Sequence, residues 1–292
     1  MNFIKKVRWL FNRISVMTWS ELFHRLIELV KIRIASLPFN NRAKRYYISR
    51  NNYLDIIELQ QYKIFSNSCL WKNIDKEKEF LLDNCYKTQS YEWKFDSADS
   101  WFQCTSTNFY WARNFFNNIN YRAGGVHGDV RIVWERSRLQ QLVAFVYIAD
   151  TSEKNSKTAI DNYLLQFNSW HQNNPPYIGP HYISVMECAL RIISVCFASS
   201  LIINRVQDKL YWQKQSSLVT SHAEIIFERL SLYSSTGNHT LTEAAGLIFA
   251  GKFYSKHSRA HIWLNEGKKL FISEFLRQTN HDGSGIEQTS WY

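Results

Sequence analysis

Two carboxylate–guanidinium pairs stand at helical spacing in otherwise apolar stretches: Glu135 with Arg138, and Glu187 with Arg191. Side chains three or four residues apart share a helix face and can neutralise each other. An unpaired charge among apolar neighbours is costly, so each pair either forms a structural ion pair or faces a bound ligand. Four glutamates, Glu135, Glu187, Glu243 and Glu287, are of the type a glycoside hydrolase needs, which opposes two carboxyl groups about 5 to 9.5 Å apart. His257 and His261 would share one face of a helix, a geometry that can hold a metal, but no third ligand stands at the matching position. Two surface histidines are the commoner outcome, and no metal site is expected. Two segments are dense in hydrogen-bonding groups, Tyr-Ser-Ser-Thr-Gly-Asn-His over 233–239 and the stretch 282–292. Asn238-His239-Thr240 also matches a glycosylation sequon, a pattern short enough to arise often by chance.

These residues need elements to position them. After Trp134 the apolar spacing predicts helices at about 136–149, 157–172, 181–203, 217–233, 240–256 and 260–279, six helices in three hairpins joined by short turns. Thr240 and Glu243 have capping-box spacing, which predicts a helix start at or just after His239 and places Asn238 and His239 at its entrance. Successive hairpins can stack side by side or curl into a toroid, and periodicity does not choose between them. From Asn40 to Arg131 the periodicity is poor and predicts irregular structure with short strands or helices. The glycines at 124, 125 and 128 lack the Lys and Ser/Thr of a phosphate loop. Residues 2–35 alternate apolar and basic positions as one or two amphipathic helices. Such helices can bind anionic lipid, although docking onto the body of the domain is commoner.

The whole chain sets bounds on partners. Its 292 residues, 45% hydrophobic, are enough for a substantial core, and 16% are aromatic, including 11 Trp, the type that stacks on sugar rings or bases. A net charge of +10 favours an anionic partner. Nucleic acid ranks last, because the positive charge is dispersed and no nucleic-acid motif is present. The five cysteines contain no CxxC pair and are expected as reduced, packed thiols. Charges interrupt every apolar run near the N-terminus, so no signal peptide is expected, which favours the cytoplasm. The most apolar stretch, 183–203, carries Glu187 and Arg191 and is expected as a buried helix, with no transmembrane segment.

In order along the chain, DVRIVWERSR at 129–138, Trp170 with NPP at 174–176, SVMECALR at 184–191, YSSTGNHTLTEAAGL at 233–247 and DGSGIEQTSWY at 282–292 resemble the heparinase II/III-like polysaccharide lyases. The resemblance implies a mainly α fold, an incomplete (α/α) toroid over 129–292, preceded over 1–128 by amphipathic helices and an irregular aromatic-rich region. It further implies a C-terminal β-sandwich beyond the residues present here, where any metal would be bound, with none in this chain. The partner would be an acidic, uronate-containing polysaccharide cleaved by β-elimination in the complete protein, and the place of action the periplasm or cell envelope. Asn238 matches the asparagine that neutralises the uronate carboxylate, and His239 the adjacent histidine. Tyr292 matches the tyrosine that protonates the leaving oxygen. Arg131, Arg138, Arg191 and His181 are candidates for the positive field or for gripping sugar carboxylates, and Trp134 and Trp170 for stacking surfaces. Position 237 is Gly where many relatives carry a second Asn. The alternatives are a non-catalytic carbohydrate-binding protein, or a truncated inactive fragment, linked to surface polysaccharide metabolism.

Overall fold

The computed structural model of the chain describes residues 3–37, 46, 72–87, 92–122, 125–233 and 237–286. Contacts divide the chain into two compact units, Met1–Asn41 and Arg42–Tyr292.

In the first unit the amphipathic pattern forms two helices, α1 (Phe3–Ser15) and α2 (Trp19–Ser36). The break falls where Thr18 starts the second helix, its side chain accepting a hydrogen bond from the Glu21 amide and satisfying one of the orphaned donors of the first turn.

Among the described residues of the second unit, the first helix is α3 (Lys72–Leu82), followed by two short antiparallel hairpins, β1 (Cys85–Lys87) with β2 (Glu92–Lys94) and β3 (Gln103–Cys104) with β4 (Phe109–Tyr110). Seven helices follow: α4 (Val130–Ser137), α5 (Gln141–Thr151), α6 (Glu153–Asn173), α7 (Met186–Ile202), α8 (Lys209–Glu228), α9 (Asn238–Phe253) and α10 (Ala260–Gln278). They form three hairpins, α5–α6, α7–α8 and α9–α10. Helices α5, α7 and α9 stand side by side as one layer, and α6 packs on α8 in the other. This is the expected mainly α architecture, an incomplete α/α toroid. Helix α7 is apolar on nearly every side because α5, α8 and α9 all pack on it. Close approach of α7 and α9 depends on a small residue: a Cβ at Gly246 would lie 2.7 Å from the Ala189 Cβ and 2.8 Å from its Cα.

Several boundaries differ from the sequence expectation, each for a local reason. The helix expected over 136–149 is two helices, α4 and α5, because Leu139 takes a left-handed conformation (φ 59°). Helix α4 starts earlier, at Val130, where the Asp129 carboxylate accepts from the Arg131 amide. Helix α8 starts at Lys209 instead of 217, with Asp208 capping the Leu210 amide. Between α6 and α7, Gly179 at φ 93° turns the chain into a short 3-10 turn over Pro180–Tyr182, so α7 begins only at Met186.

The described part of the aromatic-rich stretch in the second unit has short strands and turns, and it packs with the helices. Trp101 Nε1 donates to Ser169 Oγ on α6 at 3.1 Å, and the Arg136 guanidinium of α4 donates to the Ser100 carbonyl at 2.6 Å. Asn162 Nδ2 of α6 reaches the Leu82 carbonyl at 2.7 Å. Buried aromatic side chains fill the space between: Tyr86 stacks on Trp93 with centroids 4.3 Å apart, and Trp101 is fully buried. Within the second unit, residues 92–122 share a core with 130–278.

Replacing Gly by Ala inside a helix ordinarily stabilises it by up to about 1 kcal/mol. Gly246→Ala should instead destabilise by about 1 to 3 kcal/mol, because α7 and α9 must separate to admit the methyl group. Urea unfolding of the variant would show an unchanged or raised midpoint if the two helices were free to move apart.

Candidate functional site

Because helices alternate in direction through the hairpins, α7 and α9 run parallel and their N-termini lie at one end of the layer. The C-terminal end of α4 reaches the same end and carries Arg138. Its guanidinium forks onto the Glu187 carboxylate in the first turn of α7, Nε to Oε2 at 2.9 Å and Nη2 to Oε1 at 3.0 Å. Glu187 is fully buried and Arg138 about a quarter exposed, so the pair joins the interior to the rim. Its two parallel bonds fix geometry as well as charge. The sequence spacing had offered Arg191 as the partner of Glu187, but Arg191 turns inward and makes no ion pair with it.

The entrance to α9 is built by the chain just before it. Gly237 holds φ 94° and ψ −126°, a conformation that suits glycine, so Gly in place of the Asn of many relatives fits this backbone. Thr240 and Glu243 do not form the expected capping box. Thr240 Oγ1 donates to the Ser231 carbonyl at 2.8 Å, while Glu243 accepts from the Ser231 amide at 2.8 Å and its hydroxyl at 2.7 Å. Both side chains pin the end of the preceding segment to the first turns of α9, and the helix starts one residue earlier than expected, at Asn238. Asn238 and His239 are thereby held half-buried at the rim. Burial lowers the His239 pKa below its usual value, and the charge of Glu187 opposes that shift, so the imidazole is held near the carboxylate and largely neutral at pH 7.

Deeper in the same unit lies a cluster of basic and aromatic groups. Arg191, with no exposed surface, donates Nε to His222 Nε2 at 2.9 Å and Nη2 to the His181 carbonyl at 2.7 Å, and its guanidinium lies 4.8 Å from the Trp170 ring centroid. Tyr46 stacks on His171 at 4.2 Å, and its hydroxyl lies 2.9 Å from both the Asn174 carbonyl and the Tyr182 hydroxyl. Burial pushes the His181 and His222 pKa values well down, with the Arg191 charge adding to it, and takes His171 down to about 3. All three imidazoles are neutral.

The candidate residues therefore divide. Asn238, His239, Arg138 and Glu187 come together at the rim. Arg131 is exposed and folded back onto Asp129, Nη2 to Oδ2 at 2.6 Å. Trp134 is half-buried and donates Nε1 to the Pro180 carbonyl at 2.8 Å, and Glu135 is half-buried on the same helix. Trp170, His181 and Arg191 are fully buried, so none offers a surface to a sugar ring or carboxylate; they support the rim from below. Glu243 and Glu187 are likewise buried and engaged, which removes both from an opposed carboxyl pair of the glycosidase type. Glu287 and Tyr292 lie outside the described residues. His257 falls in a turn instead of a helix, stacked on Trp263 at 4.6 Å, so it shares no helix face with His261. Sequence reasoning did not find Tyr46, His171 or His222. A single imidazole among the apolar positions of an amphipathic helix, as at 171 and 222, was the available signal.

The family model described as Heparinase II/III N-terminus matches residues 40–292. A heparin-sulfate lyase of Bacteroides stercoris is 35% identical over 75 residues, which are 26% of this chain and 11% of that protein. The crystal structure of a heparan sulfate lyase, HepC, from Pedobacter heparinus aligns with a TM-score of 0.56 at 16% identity, covering 89% of this chain and 36% of that one. At that identity the likeness is one of fold. The chain spans little more than a third of the length of that lyase.

Two outcomes test the electrostatics of the site. Arg138→Ala leaves the Glu187 carboxylate buried without its partner and should lower stability by about 3 kcal/mol or more, against a smaller loss for Glu187→Gln, in urea titrations. Equal losses would show that the fork contributes little. The three buried histidines have folded pKa values below the unfolded value of about 6.5, so on acidification the unfolded chain takes up protons that the folded chain refuses. Stability present at neutral pH is then lost as pH falls through about 6.5, by about 1 kcal/mol per histidine between pH 7 and 5.5. A melting temperature independent of pH across that window would contradict their burial in the neutral form.

Proposed function

The chain belongs to the heparinase II/III N-terminal family, and on that premise we propose that its rim binds an acidic, uronate-containing polysaccharide for cleavage by β-elimination. The observation that carries this reading is the placement of Asn238 and His239 as the first two residues of α9, beside the part-buried Arg138–Glu187 fork, within the family match. The net charge of +10 supports a polyanionic ligand.

In β-elimination a base removes the C5 proton of the uronate, the electron pair forms a C4–C5 double bond, and the C4–O bond breaks as its oxygen takes up a proton. The difficult point is the carboxylate on C5, whose negative charge opposes the build-up of more charge. In this reading the Asn238 amide donates to that carboxylate, and the positive end of the α9 dipole adds to the neutralisation. His239, held neutral, accepts a proton or shares a hydrogen bond without adding fixed charge. The Arg138–Glu187 fork acts on positioning: it fixes the start of α7 against the end of α4, next to the α9 entrance. Tyr292 completes the set as the acid at the leaving oxygen and, in syn elimination, as the base at C5. The parts of such lyases that this chain does not span complete the turnover.

Near-ultraviolet absorbance during incubation with heparan sulfate, hyaluronan, chondroitin or alginate reports the conjugated product, and calorimetric titration of the same glycans reports binding. The expected outcome is binding of at least one acidic glycan, with any turnover reduced about 100-fold or more in Asn238→Ala. Absence of binding to all four would defeat the reading. Binding without product, both in this chain and in a polypeptide extended to the length of the lyases it resembles, would replace catalysis by carbohydrate recognition alone.

A further inference from the structure

The first unit is amphipathic in an unusual sense. On α2, Trp19, Phe23, Leu26, Val30 and Ile34 recur at helical spacing along one stripe and are all exposed, Trp19 at 88% and Phe23 at 66%. The opposite side carries the polar groups and is the less exposed: Glu21 and Arg25 pair there at 2.7 Å, their side chains only 18% and 26% exposed, and Ala35 is buried. Helix α1 repeats the pattern with Val7, Phe11 and Ile14, Phe11 being 72% exposed. Exposed basic side chains, Arg8, Arg13, Lys31 and Arg33, flank the two apolar stripes. Residues 1–41 contain seven Lys and Arg against Glu21 and Glu28, a net charge of +5, half that of the whole chain in about a seventh of its length.

We propose that α1 and α2 form a peripheral membrane-binding element, lying along an anionic lipid surface with the apolar stripes in the acyl boundary and the basic residues at the headgroups. The charge distribution selects this occupant. A second copy of the same face would bring two sets of like charges together around the apolar contact. A soluble polyanion would satisfy the charges but offer no apolar phase to the exposed aromatic side chains. A lipid surface supplies both. Among the described residues no helix is long and apolar enough to cross a membrane. The inference rests on the first unit alone and stands independently of the glycan chemistry at the rim.

The test is co-sedimentation of the full chain with phosphatidylcholine vesicles, with and without about a third of phosphatidylglycerol. Binding is expected to the anionic vesicles and to weaken with added salt. Replacing Lys31 and Arg33 by Gln should lower the partition coefficient about 30-fold. Trp19→Ser with Phe23→Ser should lower it by a similar or larger factor, with the thermal unfolding of the protein unchanged because both positions are exposed. Failure to pellet with anionic vesicles overturns the proposal, as does pelleting that survives both double variants. Self-association in the absence of lipid that Trp19→Ser abolishes also overturns it and assigns the stripe to a second copy of the chain.

Discussion

A guanidinium shut away from water has to be met by acceptors from the surrounding protein, and Arg191 draws them from several elements at once. Its hydrogen bonds reach the Ser137 carbonyl at the end of α4, the His181 carbonyl in the turn before α7 and the His222 ring on α8, while Trp170 of α6 lies under its face. Four helices and a turn are therefore registered by one side chain. Ser137 directly precedes Arg138, so the same anchoring fixes the root of the fork that holds Glu187. Arg229 reinforces the turn from the other side, donating to the Tyr182 carbonyl at 2.9 Å.

That arrangement dictates the protonation of its neighbours. His222 can accept from Arg191 only through an unprotonated nitrogen, and a second positive charge in so enclosed a place would be opposed by burial and by Arg191 itself. The interior thus keeps its charge on guanidinium groups, Arg191 with the buried Arg136 and Arg229, and its imidazoles neutral. The rim combines a matched ion pair with the half-buried His239 imidazole at the start of α9. Charge is compensated beneath the rim, where the Arg138–Glu187 pair is matched and the imidazoles are neutral.

Much of this was legible in the sequence. The three hairpins follow from helical periodicity broken at turn residues, and the placement of Asn238 and His239 at a helix entrance follows from the pattern around Thr240. Exchange of partners was not legible. Glu187 and Arg191 are four residues apart and satisfy the local rule for an ion pair, yet Arg138, 49 residues from Glu187, supplies the bidentate contact. Local spacing states which pairs can meet along one helix and carries no information about a competitor from another. The same limit explains Thr240 and Glu243, whose spacing suits a cap but whose side chains are taken by Ser231. The aromatic segment before residue 128 lacks any periodicity, so nothing local announced that Trp101 belongs to the same core as Ser169.

Tyr46 lodges among His171, Asn174 and Tyr182, 128 residues from its carbonyl partner at Asn174. A vectorially synthesised chain presents the tyrosine long before the helices that receive it exist. Its slot is lined by α6, the turn at 180–182 and α8, so these contacts can form only once residues well over a hundred positions later are present. The contacts of this one tyrosine therefore tie the start of the second unit to its later helices across a sequence separation that local folding alone cannot bridge.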